Sequence, residues 1–386
     1  MPQARISPTP TCMSDVRHLL VTGGAGFIGG NFVHFWSERH PADRLVVLDA
    51  LTYAGNRATL ATLIEAGRIE FVHGDITDAP LVARLLETYA IDTVVHFAAE
   101  SHVDRSIADP TAFVRTNVLG TQLLIEACRH AWYRNGAWEP GTRFHHVSTD
   151  EVYGSLGPDD APFSETTPYS PNSPYAASKA GSDHFVRAYV HTYGFPATIS
   201  NCSNNYGPFH FPEKLIPLMI VNALHGRALP VYGDGQQIRD WLYVGDHCAA
   251  IERILLSAPT GVTFNVGGRA EHRNVDIVHQ VCALLDARFA ADASLSARYP
   301  LCPAAHNASC ASLITHVEDR RGHDRRYAID PTRIATALGF EPRETLTTGL
   351  ARTVDWFLAN DTWWRGVMDG SYRQWIAAQY GQETPP

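Results

Sequence analysis

The sequence predicts an α/β fold, a Rossmann-type doubly wound parallel sheet followed by a smaller C-terminal α/β lobe. Over roughly the first 200 residues, short continuous apolar segments alternate with segments of helical period, and a glycine-rich turn follows the first apolar segment. Continuous apolar strands indicate a sheet that is covered on both faces, and their alternation with helices indicates parallel pairing. Beyond about Asn205 this alternation is lost, and Gly and Pro separate shorter elements.

The predicted elements divide the chain into an extension, a first domain and a lobe. Residues 1–17 are rich in Pro, Ser and Thr and are predicted to form a disordered extension. The first domain is predicted over residues 18–205, with a later return of the chain at about 232–270, and residues 206–386 mainly form the lobe. Residues 290–312 have poor periodicity and are predicted to be a surface insertion. The predicted strands cover 19–21, 45–49, 71–76, 93–98 and 144–147, and the predicted helices cover 81–89 and 113–130.

The composition is that of an ordinary soluble globular protein. The 386 residues are 45% hydrophobic and 18% charged, and they contain no apolar run long enough to cross a membrane. A formal net charge of -9 provides no overall field that would attract nucleic acid. Seven cysteines without CxxC spacing argue against a disulfide framework and predict a cytoplasmic location. Nineteen histidines include no HxxxH pair, so no metal site is predicted.

A glycine-rich turn after the first strand predicts a dinucleotide site. Gly23, Gly26 and Gly29 permit a tight turn and let a pyrophosphate approach backbone N–H groups at the start of a helix. Asp49 ends the second strand 20 residues after Gly29, where a carboxylate accepts hydrogen bonds from ribose hydroxyls and repels a 2′-phosphate. NAD is therefore favoured over NADP. Asp75 is a candidate for the adenine, although a solvated strand end is an equal alternative.

A tyrosine and a lysine at helical spacing predict an acid–base site. Tyr175 and Lys179 share one face of a predicted helix, so the ammonium can lie near the phenol. Together with a positive nicotinamide ring, this pairing is expected to lower the pKa of Tyr175, which would then remove a hydroxyl proton. Thr149, at the end of the fifth strand, is placed to hydrogen-bond the same hydroxyl, and Ser148 is the other candidate.

These motifs together resemble a known family. TGGAGFIG at 22–29, AAESHVD at 98–104, STDEVYG at 148–154 and the YxxxK motif are similar to the extended short-chain dehydrogenases/reductases. Further segments at 201–208, 211–217, 239–244 and 322–327 resemble the dTDP-glucose 4,6-dehydratase family within that superfamily. The similarity runs from about Leu19 to Tyr380. The chain departs from the family in its first 16 or so residues, in a longer segment at 298–312 and at Arg321, where proline is expected.

The resemblance implies tightly bound NAD and a sugar nucleotide substrate. The implied NAD contacts are Gly23, Gly26, Phe27, Ile28, Gly29, Asp49, Leu51, Thr52, Asp75, Ile76, Ala98, Ala99, Ser101, Thr116, Tyr175, Lys179 and Asn205. The implied substrate contacts are Ser101, Thr149, Asn204, Lys214, Leu215, Pro230, Val231, Tyr232, Arg239, Asn274, Asp319 and His323. Among these, Arg239 is expected to meet the diphosphate, with a surface salt bridge to Asp240 as the alternative.

Two adjacent carboxyl groups, Asp150 and Glu151, favour an elimination. A dehydrogenase or a 4-epimerase needs only Thr, Tyr, Lys and the nicotinamide, whereas an elimination needs two acids in opposite protonation states. Once carbon 4 of the sugar is a ketone, Glu151 can remove the proton on carbon 5 while Asp150 protonates the departing carbon 6 hydroxyl. Hydride then returns to carbon 6. Because neighbouring residues of a strand face opposite ways, both acids reach one sugar only if the backbone turns at Thr149.

Several alternatives stay open from the sequence. A UDP-glucose 4,6-dehydratase is one, because thymine and uracil differ by one methyl group, which contributes about 1 kcal/mol. A UDP-sugar 4-epimerase or decarboxylase and a catalytically silent NAD-binding regulator are less favoured. The resemblance also implies a homodimer through a four-helix interface that contains residues 113–130 and the Tyr175 helix. The product could feed rhamnose or another deoxysugar, which the sequence does not distinguish.

Overall fold

The computed structural model describes residues 16–319 and 323–368. Arg321 and most of the predicted N-terminal extension lie outside the described residues. The strands are β1 (His18–Thr22), β2 (Arg44–Asp49), β3 (Ile69–His73), β4 (Thr93–His96), β5 (Tyr133–Arg134), β6 (Ala137–Trp138), β7 (Arg143–Thr149), β8 (Ala197–Cys202), β9 (Asn204–Tyr206), β10 (Leu229–Tyr232), β11 (Ile238–Tyr243), β12 (Thr263–Val266), β13 (Glu271–Arg273) and β14 (Ile314–Val317).

Helices cover most of the remaining described residues. The helices are α1 (Phe27–Arg39), α2 (Ala61–Glu65), α3 (Ala79–Thr88), α4 (Val103–Ala108), α5 (Pro110–Phe113), α6 (Thr121–Trp132), α7 (Pro174–Tyr193), α8 (Leu215–Leu224), α9 (Val244–Ser257), α10 (Asn274–Ala291), α11 (Ser294–Arg298), α12 (Thr332–Leu338), α13 (Leu346–Ala359) and α14 (Asp361–Val367). A π-helical segment, Val114–Gly120, joins α5 to α6, and 3-10 turns cover Arg57–Leu60, Asp150–Tyr153, Pro303–His306 and Cys310–Leu313.

A seven-stranded sheet in the order β12-β8-β7-β4-β1-β2-β3 forms the centre of the first domain. Every neighbouring pair in it is parallel. On one face α1 and α9 pack against the sheet through an apolar cluster that includes Trp36 and Ile251. On the other face α3, α6 and α7 pack through a cluster that includes Leu85, Leu124 and Val186. The predicted doubly wound fold class is confirmed, because burial on both faces accounts for the continuous apolar strands.

Some element boundaries differ from the predictions. The third and fourth strands end at His73 and His96, earlier than the predicted ends at 76 and 98. After His96 the chain leaves the sheet to pass close to the glycine turn, and a Cβ on Gly23 would lie 2.6 Å from the backbone nitrogen of Ala98. The predicted helix at 113–130 is found as α5, the π-helical segment and α6 in succession.

The C-terminal lobe contains two small sheets and its own core. β11 pairs with β9 and β13, and β10 pairs with β14. Helices α8, α10 and α13 pack around them in an apolar cluster, and every residue of α8 from Ile216 to Leu224 is buried. The chain returns to the large sheet as α9 and β12, within the segment where a return was predicted. The division of the chain at about residue 205 stays a prediction.

The predicted surface insertion at 290–312 packs partly into the core of the lobe. It contains α11 and most of two 3-10 turns, and it buries Leu295, Tyr299, Cys302 and Cys310. Asp286 of α10 holds one end of the segment, because its Oδ1 accepts a hydrogen bond from the Cys310 backbone nitrogen at 2.9 Å. These apolar side chains are too widely spaced to produce a clear helical or strand period, so periodicity predicted a surface loop instead.

Candidate active site

A cavity of about 360 Å³ lies at the carboxyl ends of the parallel strands. Residues at or just beyond the ends of β1, β2, β4, β7 and β8 line it, and so does the segment 210–215, which leads into α8 of the lobe. Ligand sites of doubly wound sheets form at this edge, because the loops that follow parallel strands meet there. The predicted site residues that line the cavity are Gly23, Gly26, Phe27, Ile28, Gly29, Asp49, Thr52, Asp75, Ile76, Ala98, Ala99, Ser101, Thr116, Thr149, Asp150, Glu151, Tyr175, Lys179, Asn204, Asn205, Lys214 and Leu215.

The glycine turn has the shape of a dinucleotide cradle. Gly23 has a φ of 70°, a left-handed conformation that favours glycine. A Cβ on Gly29 would lie 2.3 Å from the Gly23 carbonyl oxygen, so a side chain there would push the turn away from α1. Gly26 caps α1 without a side-chain hydrogen bond. The start of α1 therefore offers backbone N–H groups and a positive helix end to a pyrophosphate.

The Asp49 carboxylate holds the loop around the cradle. It accepts hydrogen bonds from the backbone nitrogens of Ala25 at 2.9 Å and Leu51 at 2.8 Å. Burial raises the pKa of Asp49, and these two hydrogen bonds oppose the rise. Leu51 was predicted to contact the cofactor, but it does not line the cavity, because a left-handed turn (φ 50°) directs its N–H group to Asp49.

The backbone turns where two adjacent acids must reach one ligand. Thr149 ends β7 in extended conformation, and the 3-10 turn Asp150–Tyr153 begins at the next residue. The Thr149 hydroxyl accepts a hydrogen bond from the Glu151 backbone nitrogen at 3.3 Å. Asn201 donates through Nδ2 to the Thr149 carbonyl at 3.1 Å. Because the chain leaves the strand at this point, both Asp150 and Glu151 line the cavity.

Asp150 is a buried acid whose surroundings favour its neutral form. It is 1% exposed, and its Oδ2 atom has no hydrogen-bond partner among the described residues. Burial raises the pKa of Asp150 well above its ordinary value, and the nearby charges of Glu151 and Asp240 add to the rise. Arg239 opposes it. A protonated carboxyl with a free oxygen is suited to donate a proton.

Tyr175 and Lys179 stand one helical turn apart near the start of α7, and both line the cavity. Ser173 caps this helix by accepting from the Ala176 nitrogen at 3.1 Å, and Pro174 opens the first turn. The Lys179 ammonium donates to the Val147 carbonyl at 2.9 Å. Burial raises the pKa of Tyr175 well above its ordinary value, Glu151 adds to the rise, and a hydrogen bond with Thr149 opposes it. The lowered pKa that the sequence predicted is therefore absent from the protein alone.

The two asparagines after β8 have different hydrogen-bonding states. Asn204 Oδ1 has no hydrogen-bond partner among the described residues. In Asn205, Nδ2 donates to the Ser203 carbonyl at 2.9 Å, and Oδ1 lies 3.0 Å from His247 Nδ1. Burial lowers the pKa of His247 to about 3, so this ring is neutral. The side chain of Asn204 is thus available to a ligand, whereas the amide of Asn205 is held by the protein.

A second group of predicted substrate residues lies outside the cavity lining. Arg239 is 4% exposed and donates to the carbonyls of Ile238 at 2.7 Å and Asp324 at 3.0 Å. Its guanidinium carbon lies 4.3 Å from the centre of the Tyr327 ring. The alternative of a surface salt bridge with Asp240 is wrong, because Asp240 is buried and accepts from the Gly268 and Ala270 nitrogens.

The other members of this group lie on several elements of the lobe. His323 contacts Asp319 through Nδ1 at 2.6 Å, and its ring meets Tyr232 edge-on at 6.1 Å. Asn274 Oδ1 has no hydrogen-bond partner within the described part of the chain. Val231 is a core residue, 2% exposed in the lobe cluster, so its side chain is directed into the core. Its neighbour Pro230 pairs with β14 and also stays outside the cavity lining.

Comparison with known proteins identifies the family. The family model described as GDP-mannose 4,6 dehydratase matches residues 20–353. A dTDP-glucose 4,6-dehydratase from Xanthomonas campestris pv. campestris (strain B100) is 55% identical over 359 residues, covering 92% of this chain and 97% of that protein. The chain belongs to the dTDP-glucose 4,6-dehydratase family.

Solved structures of dTDP-glucose 4,6-dehydratases have the same fold as this chain. The enzyme from Streptomyces venezuelae, solved with NAD and TYD bound, is 45% identical with a TM-score of 0.79 and covers 91% of this chain and 99% of its own. The enzyme from Bacillus anthracis str. Ames, solved in complex with NAD, is 39% identical with a TM-score of 0.78 and covers 91% and 100%.

The candidate site contains residues that the sequence did not predict. Trp241 lines the cavity, is 5% exposed, and its indole Nε1 has no hydrogen-bond partner in the described ranges. It pairs in register with Asn204 across β9 and β11, a pairing that no local motif reveals. The other missed residues that carry a polar group are Tyr53, Glu100, Cys202, Ser203, His210 and Glu213, whereas Ser148, the alternative to Thr149, also lines the cavity. Several of these stand beside residues that were predicted, so proximity in the sequence was the available signal.

The described residues contain no cluster of three or more His, Cys, Asp or Glu placed to hold a metal ion. Within the same residues, no helix combines the length and the apolar character needed to cross a membrane.

Proposed function

We propose that the protein is an NAD-dependent hydro-lyase that converts dTDP-glucose to dTDP-4-keto-6-deoxyglucose and water. The observation that carries this proposal is the turn after Thr149, which brings a protonated Asp150 and the neighbouring Glu151 into one cavity with Tyr175. A 4-epimerase has no use for a buried neutral acid at this position. The strong identity to dTDP-glucose 4,6-dehydratases supports the same activity.

The cavity fits NAD. Gly23, Gly26 and Gly29 leave room for a pyrophosphate at the start of α1, and Asp49 lines the cavity at the end of β2, where ribose hydroxyls bind in this fold. Asp75 lines the cavity on the adenine side of this arrangement. When bound, the nicotinamide supplies a reversible two-electron oxidation of the sugar and is regenerated in each turnover.

Tyr175 acts as the base in the oxidation of carbon 4. Its phenolate oxygen removes the proton of the carbon 4 hydroxyl, and Thr149 orients that hydroxyl by hydrogen bonding. Lys179 holds a positive charge one helical turn away, which favours the phenolate. Because burial alone raises the pKa of Tyr175, the positive charges around the bound ligands are needed to bring it into the working range.

Glu151 and Asp150 carry the elimination. The Glu151 carboxylate removes the proton from carbon 5, which the neighbouring ketone acidifies. The carboxyl group of Asp150 donates its proton to the carbon 6 hydroxyl, and the carbon–oxygen bond breaks to release water. Glu151 then returns its proton to carbon 5 after carbon 6 has been reduced, and Asp150 regains a proton from solvent. The two acids therefore work from opposite protonation states.

The substrate's diphosphate needs local cations, because the chain carries a net charge of -9. Lys214, which lines the cavity, and Arg239, which lies beside it, are the proposed phosphate contacts. Asn274 would supply an amide oxygen that has no partner among the described residues to the nucleotide end, and the hydrogen-bonded pair Asp319 and His323 would be further nucleotide contacts. Pro230, Val231 and Tyr232 form the wall of β10 behind this group.

We further propose that the protein works as a homodimer. Val114 and Leu119 of the π-helical segment are 56% and 47% exposed, and Ile107 of α4 and Phe185 of α7 are also exposed. Val114, Leu119 and Phe185 stand on the segments that the family resemblance places in a four-helix interface, and burying them against a second copy would stabilise the dimer. A cytoplasmic location and a place in the synthesis of rhamnose or another deoxysugar stay predictions.

One assay tests the proposed function. Purified protein is incubated with dTDP-glucose without added cofactor, and the strong ultraviolet absorbance of a 4-keto sugar in base is followed. We expect signal from the wild-type protein and none from Tyr175→Phe. UDP-glucose, tested in parallel, is expected to react more slowly. Absence of signal with both sugars in protein shown to contain NAD would refute the assignment.

A further inference from the structure

We propose that Asp183 is a positioning residue that keeps Lys179 charged and so tunes Tyr175 through α7. The proposal rests on the proposed function of Tyr175 and adds a residue that does not line the cavity. Tyr175, Lys179, Asp183 and Arg187 follow one another at intervals of four residues along α7. Side chains at that spacing stand on one face of a helix, so Asp183 lies one turn behind Lys179 as seen from the cavity.

Asp183 is a fully buried acid, and three donors converge on one of its two carboxylate oxygens. It is 0% exposed, and its Oδ2 accepts from Ser148 Oγ at 2.9 Å, Tyr169 Oη at 2.8 Å and Asn201 Nδ2 at 3.3 Å. Its Oδ1 lies 3.1 Å from His146 Nε2. Burial opposes ionisation, but the contacts with His146, Lys179 and Ser148 hold the pKa of Asp183 below its ordinary value. Asp183 is therefore a carboxylate inside the protein.

The charge of Asp183 is not cancelled by its histidine neighbour. Burial lowers the pKa of His146 to about 4, so the ring is neutral at physiological pH. Arg187 donates to the Tyr169 hydroxyl of the same network at 2.6 Å, and its charge helps to lower the pKa of His146. Lys179, which is 4% exposed and donates to the Val147 carbonyl, is the buried cation that remains to balance Asp183. A buried ammonium without a nearby anion loses its proton readily.

The groups that face these residues come from several elements. Burial lowers the pKa of Lys179, and Asp183 and then Cys202 of β8 oppose that change. Tyr175 faces Glu151, Cys202 and Asp150, which raise its pKa, and Thr149, which lowers it. Other titratable groups that interact with Lys179 or Asp183 are His96 of β4, His146 of β7, Tyr153 of the turn and Tyr169, and Arg187 interacts in turn with the last three.

The substitution Asp183→Asn separates charge from hydrogen bonding. Asparagine has nearly the same shape, and its oxygen can accept from Ser148, Tyr169 and Asn201 with its nitrogen turned toward His146. Removing the negative charge of Asp183 would by itself lower the pKa of Tyr175, because a nearby negative charge disfavours the phenolate. Loss of the Lys179 proton acts in the opposite direction, because Tyr175 loses a positive neighbour. The sign of the measured shift therefore distinguishes the proposed role from a simple field effect.

The test is the ionisation of Tyr175 in the NAD-loaded enzyme, followed by ultraviolet absorbance as the difference between each protein and its Tyr175→Phe counterpart. We expect Asp183→Asn to raise the pKa of Tyr175 by at least about one unit. The apparent pKa of the acid limb in the pH profile of kcat/KM for dTDP-glucose should also rise. In a Lys179→Met background the same substitution should leave that pKa unchanged or lower it. An unchanged or lowered pKa with Lys179 present would overturn the proposal.

Additional variants distinguish a loss of charge from a folding defect. Tyr169→Phe removes one hydrogen bond to Asp183 and keeps the carboxylate, so the pKa of Tyr175 should not move. A shift as large as that of Asp183→Asn would instead assign the effect to lost packing. If Asp183→Asn does not fold, Lys179→Met is compared with Lys179→Met/Asp183→Asn. We expect the double variant to melt roughly 2 °C or more higher, because it removes an unbalanced buried charge, and a lower melting temperature would contradict this.

A failure of the proposed function is distinguishable from a failure of this inference. If the wild-type protein does not dehydrate dTDP-glucose, the pH dependence of kcat/KM cannot be measured. The absorbance titration and the melting comparison still test the roles of Asp183 and Lys179.

Discussion

At the scale of single residues, the burial that favours the neutral form of Asp150 also lowers the stability of the folded protein at neutral pH. Its carboxyl group is buried beside Glu151, and burial raises its pKa well above the value of a free carboxyl. Each unit of that rise corresponds to about 1.4 kcal/mol of free energy by which the folded state prefers the proton. Active sites commonly keep such groups in spite of the loss of stability.

The stability cost of Asp150 depends on pH. A raised pKa means that the folded state binds the proton more tightly, so the stabilising contribution is complete below the unfolded pKa of about 3.9 and is lost as pH rises through the folded value. Asp150→Asn carries no such loss. We therefore expect this variant to melt at a higher temperature than the wild type at pH 7 and at the same temperature below about pH 4. A lower melting temperature at pH 7 would contradict a buried neutral acid.

Removing either proton-transfer group should stop the reaction at a different stage. With Asp150→Asn we expect dTDP-glucose to be oxidised and then to stall, because no acid protonates the carbon 6 hydroxyl, and kcat should fall by about 100-fold or more. Reduced nicotinamide should accumulate and be visible by its absorbance. Tyr175→Phe should give neither oxidation nor product. Turnover like that of the wild type in both variants is the result that excludes these roles.

At the scale of elements, the glycine turn and α1 form one unit. A Cβ on Gly29 would lie 2.3 Å from the Gly23 carbonyl oxygen, so Gly29→Ala must displace either the turn or the helix. We expect NAD to bind at least about 10-fold more weakly, which corresponds to roughly 1.4 kcal/mol, as measured by calorimetric titration of cofactor-free protein.

A glycine elsewhere serves as the control for this prediction. A Cβ on Gly366 of α14 would have no described neighbouring atom within 4 Å, and alanine is the better helix former by up to about 1 kcal/mol. Gly366→Ala should therefore leave NAD affinity unchanged. Weaker binding in both variants would show that the loss is not specific to the glycine turn.

Elements also mark how far the sequence could predict the structure. The glycine turn, the carboxylate that ends β2 and the acids that follow β7 each depend on a short stretch of sequence. Local sequence patterns were therefore enough to predict these three parts of the site. Tertiary contacts decided the rest. The Asn205 amide is held by His247, Leu51 turns its N–H group to Asp49, and Trp241 reaches the site by pairing with Asn204. The core packing of the 290–312 segment likewise depends on α10, which periodicity cannot reveal.

At the scale of the whole molecule, the exposed apolar side chains of the π-helical segment predict the assembly state. Val114→Asp combined with Leu119→Asp should split the proposed homodimer, because two charges would be buried without partners in the interface. Sedimentation analysis should then give the mass of one chain, 42.5 kDa. Leu301→Asp is the matched control, since Leu301 is 69% exposed on the 290–312 segment, and it should leave the dimer intact. A wild-type protein that is itself monomeric would contradict the dimer.

The two lobes meet at the cavity, and the chemistry requires both. The first domain supplies Thr149, Asp150, Glu151 and Tyr175 from β7, its turn and α7, while the lobe contributes Lys214 at the start of α8. In the proposed mechanism the sugar lies between the nicotinamide and this pair of acids, so that oxidation and elimination take place without release of an intermediate.

The most direct test of this account follows one hydrogen atom. dTDP-glucose labelled with deuterium at carbon 4 is converted by the purified protein in ordinary water, and the product is examined by nuclear magnetic resonance and mass spectrometry. We expect a 4-keto-6-deoxy sugar that carries the deuterium at carbon 6. Deuterium retained at carbon 4, or lost to solvent with carbon 6 still hydroxylated, would contradict it.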